Sequence, residues 1–177
     1  NNSIGSGQVL HCPYDFNKAK LIVREMADLL ALDLVDKGLV TDQIVLTVGY
    51  DIENLNTADK RKAYKGEVTT DYYGRKVPKH AHGTINLEQK TSSTKDIVNA
   101  AMKLYDRIVN KDMFIRRAYI VANHVIDEKT VMKPAFEQLD LFTDYEEVKK
   151  QRATEEKERQ DEKNVQKAIL DIKKKYG

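Results

Sequence analysis

The chain has 177 residues, of which 41% are hydrophobic, 33% charged and 7% aromatic, with no Trp and a formal net charge of +2. That length is one domain of ordinary size with room for a short appendage, whose core must be mostly aliphatic. A pI near 8.5 is too mild to identify a nucleic-acid partner, so local clustering has to carry any such argument.

The single Cys12 excludes an internal disulfide and fits a reducing compartment. No apolar run is long enough to span a membrane, and no signal peptide opens the sequence, so a cytoplasmic location is expected. The chain opens on Asn1 rather than Met, which leads us to expect a piece of a longer protein.

In chain order, residues 4–10 (Ile-Gly-Ser-Gly-Gln-Val-Leu) form a first strand candidate. Its two glycines weaken packing but allow close backbone approach. Asp15 is placed to cap a helix whose apolar stripe is Ala19, Ile22, Val23, Met26, Ala27, Leu30 and Leu34, with Gly38 to end it. Residues 41–50 alternate as a strand with both faces fairly apolar, which predicts an interior position.

Residues 51–82 are irregular, with Lys60, Arg61, Lys62, Lys65, Arg75, Lys76 and Lys79 interleaved with Tyr64, Tyr72 and Tyr73. Tyr73-Gly74-Arg75 reads as a hairpin tip. Such a stretch suits a nucleic-acid backbone, and equally suits a solvated loop.

Residues 83–90 are a further strand, followed by Thr91-Ser92-Ser93-Thr94 at the start of a second helix. Ser93 with Asp96 reads as a capping box; the same helix N-terminus is also suited to a phosphate. Ile97, Ala100, Ala101, Leu104 and Ile108 are that helix's apolar stripe.

Residues 113–126 are the longest strand candidate. Its neighbours Arg116 and Arg117 should point to opposite faces unless a bulge intervenes, and at least one belongs on an open face. The order is strand, helix, strand, strand, helix, strand. Two helices with single apolar stripes cover one face of a four-stranded sheet and leave the other for solvent or a ligand.

Residues 137–143 follow, with Leu139, Leu141 and Phe142 between Pro134 and the capping signal Thr143-x-x-Glu146. No helical period runs through them. They suit a partner's pocket, Gln138 as polar head and Leu141-Phe142 as apolar anchor, or they pack back on their own domain. Residues 144–177 read as a charged, solvated helix held by i,i+4 pairs, with apolar residues only near its end.

Taken together, the stretches Ser3-Ile4-Gly5-Ser6-Gly7, Lys37-Gly38-Leu39-Val40-Thr41, Lys79-His80-Ala81-His82-Gly83-Thr84, Thr91-Ser92-Ser93-Thr94, Phe114-Ile115-Arg116-Arg117 and Gln138-Leu139-Asp140-Leu141-Phe142 resemble one family. It is the C-terminal, little-finger domain of Y-family translesion DNA polymerases of the UmuC/DinB-like (ImpB/MucB/SamB) kind. The resemblance covers nearly the whole chain.

The resemblance implies an α+β fold with a four-stranded, mostly antiparallel sheet backed by two helices on one face (βαββαβ), plus a C-terminal helical tail. The expected parts are a DNA-binding domain at 1–130, a linker with a clamp-binding peptide at 131–143 and the tail at 144–177. The implied role is to grip primer–template phosphates without sequence specificity in translesion synthesis, DNA repair and the SOS response.

The DNA contacts implied are Ser3, Gly5, Ser6, Arg116 and Arg117, with Ser92, Ser93 and Thr94, and with Arg75, Lys76 and Lys79 from the basic loop. The sliding clamp would be held by Gln138, Leu139, Asp140, Leu141 and Phe142. The expected partners are thus primer–template DNA, the clamp and the rest of the parent polymerase, with nucleoid association when on DNA and no membrane.

Polymerase chemistry needs clustered carboxylates around two Mg²⁺ ions. In this family they lie in a palm domain outside this sequence, so no catalytic residue, metal or cofactor is expected here. Asp51 and Glu53 read as strand-end solvation, and His11, Cys12, His80 and His82 lack the spacing of a closed zinc site. The competing reading is a protein-interaction adaptor that uses the open sheet face and the helical tail. A single-stranded RNA binder ranks below it, since the last strand offers only Phe114 and Tyr119 for stacking.

Overall fold

The structure, a computed structural model, describes residues 2–131 and 145–177. Strand β1 (Ile4–Tyr14) runs into helix α1 (Phe16–Lys37), then β2 (Leu39–Tyr50). A 3-10 turn (Ile52–Leu55), a short helix α2 (Ala58–Ala63) and a hairpin of β3 (Val68–Thr70) with β4 (Lys76–Pro78) lead to β5 (Ala81–Thr91). Helix α3 (Thr94–Ile108), β6 (Ile115–Asn123), the two-residue β7 (Ile126–Asp127) and a long helix α4 (Tyr145–Tyr176) complete the order.

The four long strands lie in the order β1-β6-β2-β5, all antiparallel to their neighbours, with β7 added beside the start of β2. This is the expected α+β sheet, and β2 is interior as its two apolar faces predict. Each helix connects two strands that run the same way with a third strand between them, so α1 and α3 fall on the same side.

Both helices start and stop where their sequence says. The Asp15 carboxylate accepts from the Lys18 N–H at 2.8 Å, and Gly38, at φ 67°, takes the left-handed conformation that closes α1. At α3 the Ser93 hydroxyl accepts from the Asp96 N–H at 3.2 Å. The reciprocal half of the expected capping box is replaced: Asp96 accepts from the Thr91 hydroxyl, which itself accepts from the Ser93 N–H at 2.9 Å.

The core forms between this helical layer and one sheet face. From α1 come Ala19, Val23, Met26, Ala27, Leu30 and Leu34, and from α3 Ile97, Ala101, Leu104 and Tyr105. They meet Ile44, Leu46 and Val48 of β2 and Ala118, Ile120 and Ala122 of β6. Each buried Leu or Ile contributes roughly 1.5–3 kcal/mol. The Tyr105 hydroxyl donates to the Phe16 carbonyl at 2.7 Å, so this one polar group in the core is satisfied, and burial pushes its pKa up.

The tail helix does more than float. From Glu162 onward α4 packs on α1 and on the start of α3. Gln166, only 3% exposed, donates to the Ser92 carbonyl at 2.9 Å and to the Thr94 hydroxyl at 2.7 Å. Lys163 pairs with Glu128, and Lys174 with Asp36 at 2.5 Å. Of the expectation of a solvated helix, the stretch 149–161 agrees, being exposed throughout. The last turns pack on this domain's own helices.

Candidate nucleic-acid interface

The pleat divides β6 between two environments. Ala118, Ile120 and Ala122 face the helices, whereas Arg117, Tyr119, Val121 and Asn123 face away. Cross-strand register places neighbours beside them: Val9 and Gly49 flank Arg117, Gly7 and Thr47 flank Tyr119, and Gly5 and Val45 flank Val121. Gln43 completes the set beside Asn123, and on β5 the row continues through His82, Thr84 and Asn86.

No helix among the described residues packs on this second face. Its polar groups bond along the sheet surface. Asn123 donates to Gln43 at 3.0 Å, Gln43 donates to Asn86 at 2.9 Å, and Thr47 shares a 2.8 Å hydrogen bond with His82. The result is a flat surface of amides, hydroxyls and one aromatic ring around a cation.

The two adjacent arginines are not sent to opposite faces by the pleat, because β6 carries a bulge there. Gly49 is opposite Arg117 and Tyr50 opposite Ile115, which leaves Arg116 as the extra residue between them. Arg116 reaches Asp51, a nearly buried carboxylate at the end of β2, at 3.6 Å. Arg117 makes no ion pair or hydrogen bond among the described residues. One arginine is paired within the protein, and its neighbour's guanidinium has no partner among the described residues.

The remaining expected contacts are spread over three places. Ser3, Gly5 and Ser6 are exposed on β1 or just before it, at a sheet edge whose outer backbone groups face solvent. Gly5 is on the open face, while Ser6, opposite core residue Ile120, points to the helical side.

Arg75, Lys76 and Lys79 belong to the β3–β4 hairpin, whose tip matches the expected Tyr73-Gly74-Arg75 turn with Gly74 at φ 79°. Arg75 bonds Asp71 at 2.9 Å and Lys79 pairs with Glu67 at 2.9 Å, while Lys76 is exposed without an ion pair among the described residues.

Ser92, Ser93 and Thr94 lie at the far end of the domain, at the start of α3. There an anion is already in place. The Glu162 carboxylate accepts from the Ser93 hydroxyl at 2.7 and 2.8 Å and from the Lys95 N–H at 3.0 Å. The helix N-terminus read as suited to a phosphate holds a carboxylate of its own tail, for the same dipolar reason.

The expected clamp peptide, Gln138, Leu139, Asp140, Leu141 and Phe142, lies outside the described residues. Sequence reasoning passed over Gly49 and Thr47, which shape the open face with Gly7; only the register across three strands reveals them. Among the described residues no group of His, Cys, Asp and Glu is arranged to hold a metal ion, and no helix is long and apolar enough to cross a membrane.

The domain is thus an α+β fold with one sheet face filled by helices and the other, which carries Arg117, covered by none of the described helices. In comparison with known sequences, residues 1–141 match the family described as impB/mucB/samB family C-terminal domain. The chain therefore belongs to that family, the C-terminal domain of Y-family polymerases expected from its motifs.

No curated protein matches the chain. Among solved structures, a complex of beta-clamp processivity factor and little finger domain of PolIV is similar over 80% of this chain and 100% of that one, at 11% identity and a TM-score of 0.44. A likeness so distant adds nothing to what the strand order already shows.

Proposed function

We propose that this domain holds primer–template DNA for a translesion polymerase and tethers that polymerase to the sliding clamp. The open face and the β1 edge lie along the sugar-phosphate backbone. Arg117, Lys76 and the exposed backbone of Ser3, Gly5 and Ser6 supply the phosphate contacts, with Arg75 and Lys79 at the rim. Arg116 contributes less, because Asp51 already holds it. Ser92, Ser93 and Thr94 join only where α4 withdraws Glu162 and Gln166.

The observation that carries this reading is Arg117: an arginine without a carboxylate partner in the middle of a sheet face that no helix covers. Phosphate contacts of this kind position a duplex without reading it, which suits an enzyme that must accept damaged bases. The chemistry of nucleotide addition belongs to other parts of the parent enzyme, and DNA repair inside the cell is the setting this implies.

Fluorescence anisotropy with a blunt DNA duplex at two salt concentrations tests the grip. Affinity should fall steeply with salt and change little with sequence. A flat salt response with marked sequence preference would overturn it. For the tether, Gln138-Leu139-Asp140-Leu141-Phe142 supports a short anchor peptide, and replacing Leu141 and Phe142 together with Ala should abolish clamp binding. Clamp binding that survives the double substitution rejects the peptide as anchor.

A further inference from the structure

Three glycines on the open face stand where side chains would collide with two others. A Cβ on Gly7 would come within 2.9 Å of the Tyr119 ring, and one on Gly5 within 3.0 Å of its hydroxyl. A Cβ on Gly49 would meet Arg117 Cγ at 2.6 Å. The Tyr119 ring therefore lies across the backbone of β1, and the stem of Arg117 lies on β2. Both remain reachable from solvent, Tyr119 at 49% exposure.

The β3–β4 hairpin rises beside this pair and closes a cleft of about 430 Å³ against the sheet. Val9, Tyr72, Val77 and His80 line it together with Arg117 and Tyr119. Its walls are mostly apolar and aromatic, and Val9 and Tyr72 are almost wholly exposed for such side chains, at 71% and 97%. The acidic lining residue, Asp71, is turned back on the hairpin. Its carboxylate accepts from the Tyr73 and Arg75 N–H groups at 3.0 and 2.8 Å and bonds the Arg75 guanidinium. Arg117 is thus the charge presented to an occupant.

A flat ring, apolar walls and one unpaired guanidinium match a planar heterocycle that carries a phosphate. The cleft is of single-ligand size, within the roughly 300–1,000 Å³ of small-molecule sites, so it is too small for a base pair, while the exposed Arg117 can still meet a backbone phosphate of a duplex. We propose that the cleft between the β3–β4 hairpin and the sheet binds one unpaired nucleotide, the base stacked on Tyr119 and the phosphate on Arg117. This rests on the nucleic-acid reading above and adds a site that reads single-strandedness rather than duplex backbone. On a primer–template, the occupant is a nucleotide of the single-stranded overhang.

The test compares a blunt duplex with the same duplex carrying a short single-stranded overhang, at one fixed salt concentration. A fluorescent adenine analogue is placed either in the overhang or within the duplex. The overhang should tighten binding by about tenfold, the usual scale of base–aromatic stacking, and the analogue should be quenched only in the overhang. Measured against each variant's own blunt-duplex affinity, Tyr119→Ala should erase the increment and Tyr119→Phe should keep it. Tyr72→Ala, at a fully exposed hairpin position where folding is not at stake, should weaken the increment.

Equal affinity for blunt and overhang DNA overturns the site while leaving the duplex grip intact. An increment that survives Tyr119→Ala overturns it as well. Failure of blunt-duplex binding with a retained, Tyr119-dependent overhang signal would instead remove the duplex reading and leave this one standing.

Discussion

The two faces of one sheet obey different demands. On the covered side β6 offers Ala118, Ile120 and Ala122, small or branched residues into which α1 and α3 can settle. On the other side the same strand offers Arg117, Tyr119, Val121 and Asn123, and its neighbours offer glycines, an amide ladder and a hydroxyl. No helix could dock there without burying an unpaired guanidinium and a row of amides, which costs several kcal/mol. The open face is kept open by its own side chains, and changes there should touch binding while changes opposite should touch stability.

Breaking that contrast begins in the core. Ile120→Ala, at a fully buried position, should cost about 2–5 kcal/mol in a denaturant titration, whereas its neighbour Tyr119→Ala should cost far less. Comparable losses at both would mean that the open face is structural after all. Gln166→Ala, which strips the partner from the Ser92 carbonyl, should cost about 1–3 kcal/mol and speed amide exchange in the second half of α4. If exchange there is unchanged, the tail is held by other contacts.

The paired arginines sharpen the contrast within two residues. Arg117→Ala should lower DNA affinity about tenfold and flatten the salt slope by about one, with the melting temperature unchanged. Arg116→Ala should do the reverse on a smaller scale, losing up to about 1 kcal/mol of stability through Asp51 and little affinity. Equal effects of both on DNA would remove the Asp51 pairing from the account.

The smallest effect concerns Asp42. Burial acts to raise its carboxyl, but His124, at 2.9 Å, and Lys90, at 3.2 Å, outweigh it and hold the pKa below the ordinary value. A carboxyl lowered by folding stabilises the native state above its unfolded value, near 4, and that contribution is lost as pH falls through the folded value. Asp42→Asn should therefore be less stable than the parent at neutral pH, and the two should converge as pH drops below about 4 in paired thermal melts.

Much of the helical layer could be read from local pattern, because a cap, an apolar stripe and a terminal glycine each act within a few residues. Asp15, the stripe from Ala19 to Leu34 and Gly38 needed no tertiary partner to be recognised. The pleat rule also stated the question about Arg116 and Arg117 correctly, with a bulge as the named exception. It could not answer it, since a bulge is a property of two strands in register and β1 and β2 lie far away in sequence. The capping-box reading of Ser93 went half right for the same reason: Thr91 competes for Asp96, and Glu162 arrives from 69 residues away.

By itself, the order of residues determined the main succession of strands and helices and the count of faces that two amphipathic helices can cover, because these follow from short-range periodicity. Only the folded chain decided which arginine is free, that Gly5, Gly7 and Gly49 make room for Tyr119 and Arg117, and that the tail's carboxylate sits on the start of α3. Those depend on register and on contacts between distant segments, where a shift of one residue turns a side chain to the opposite face.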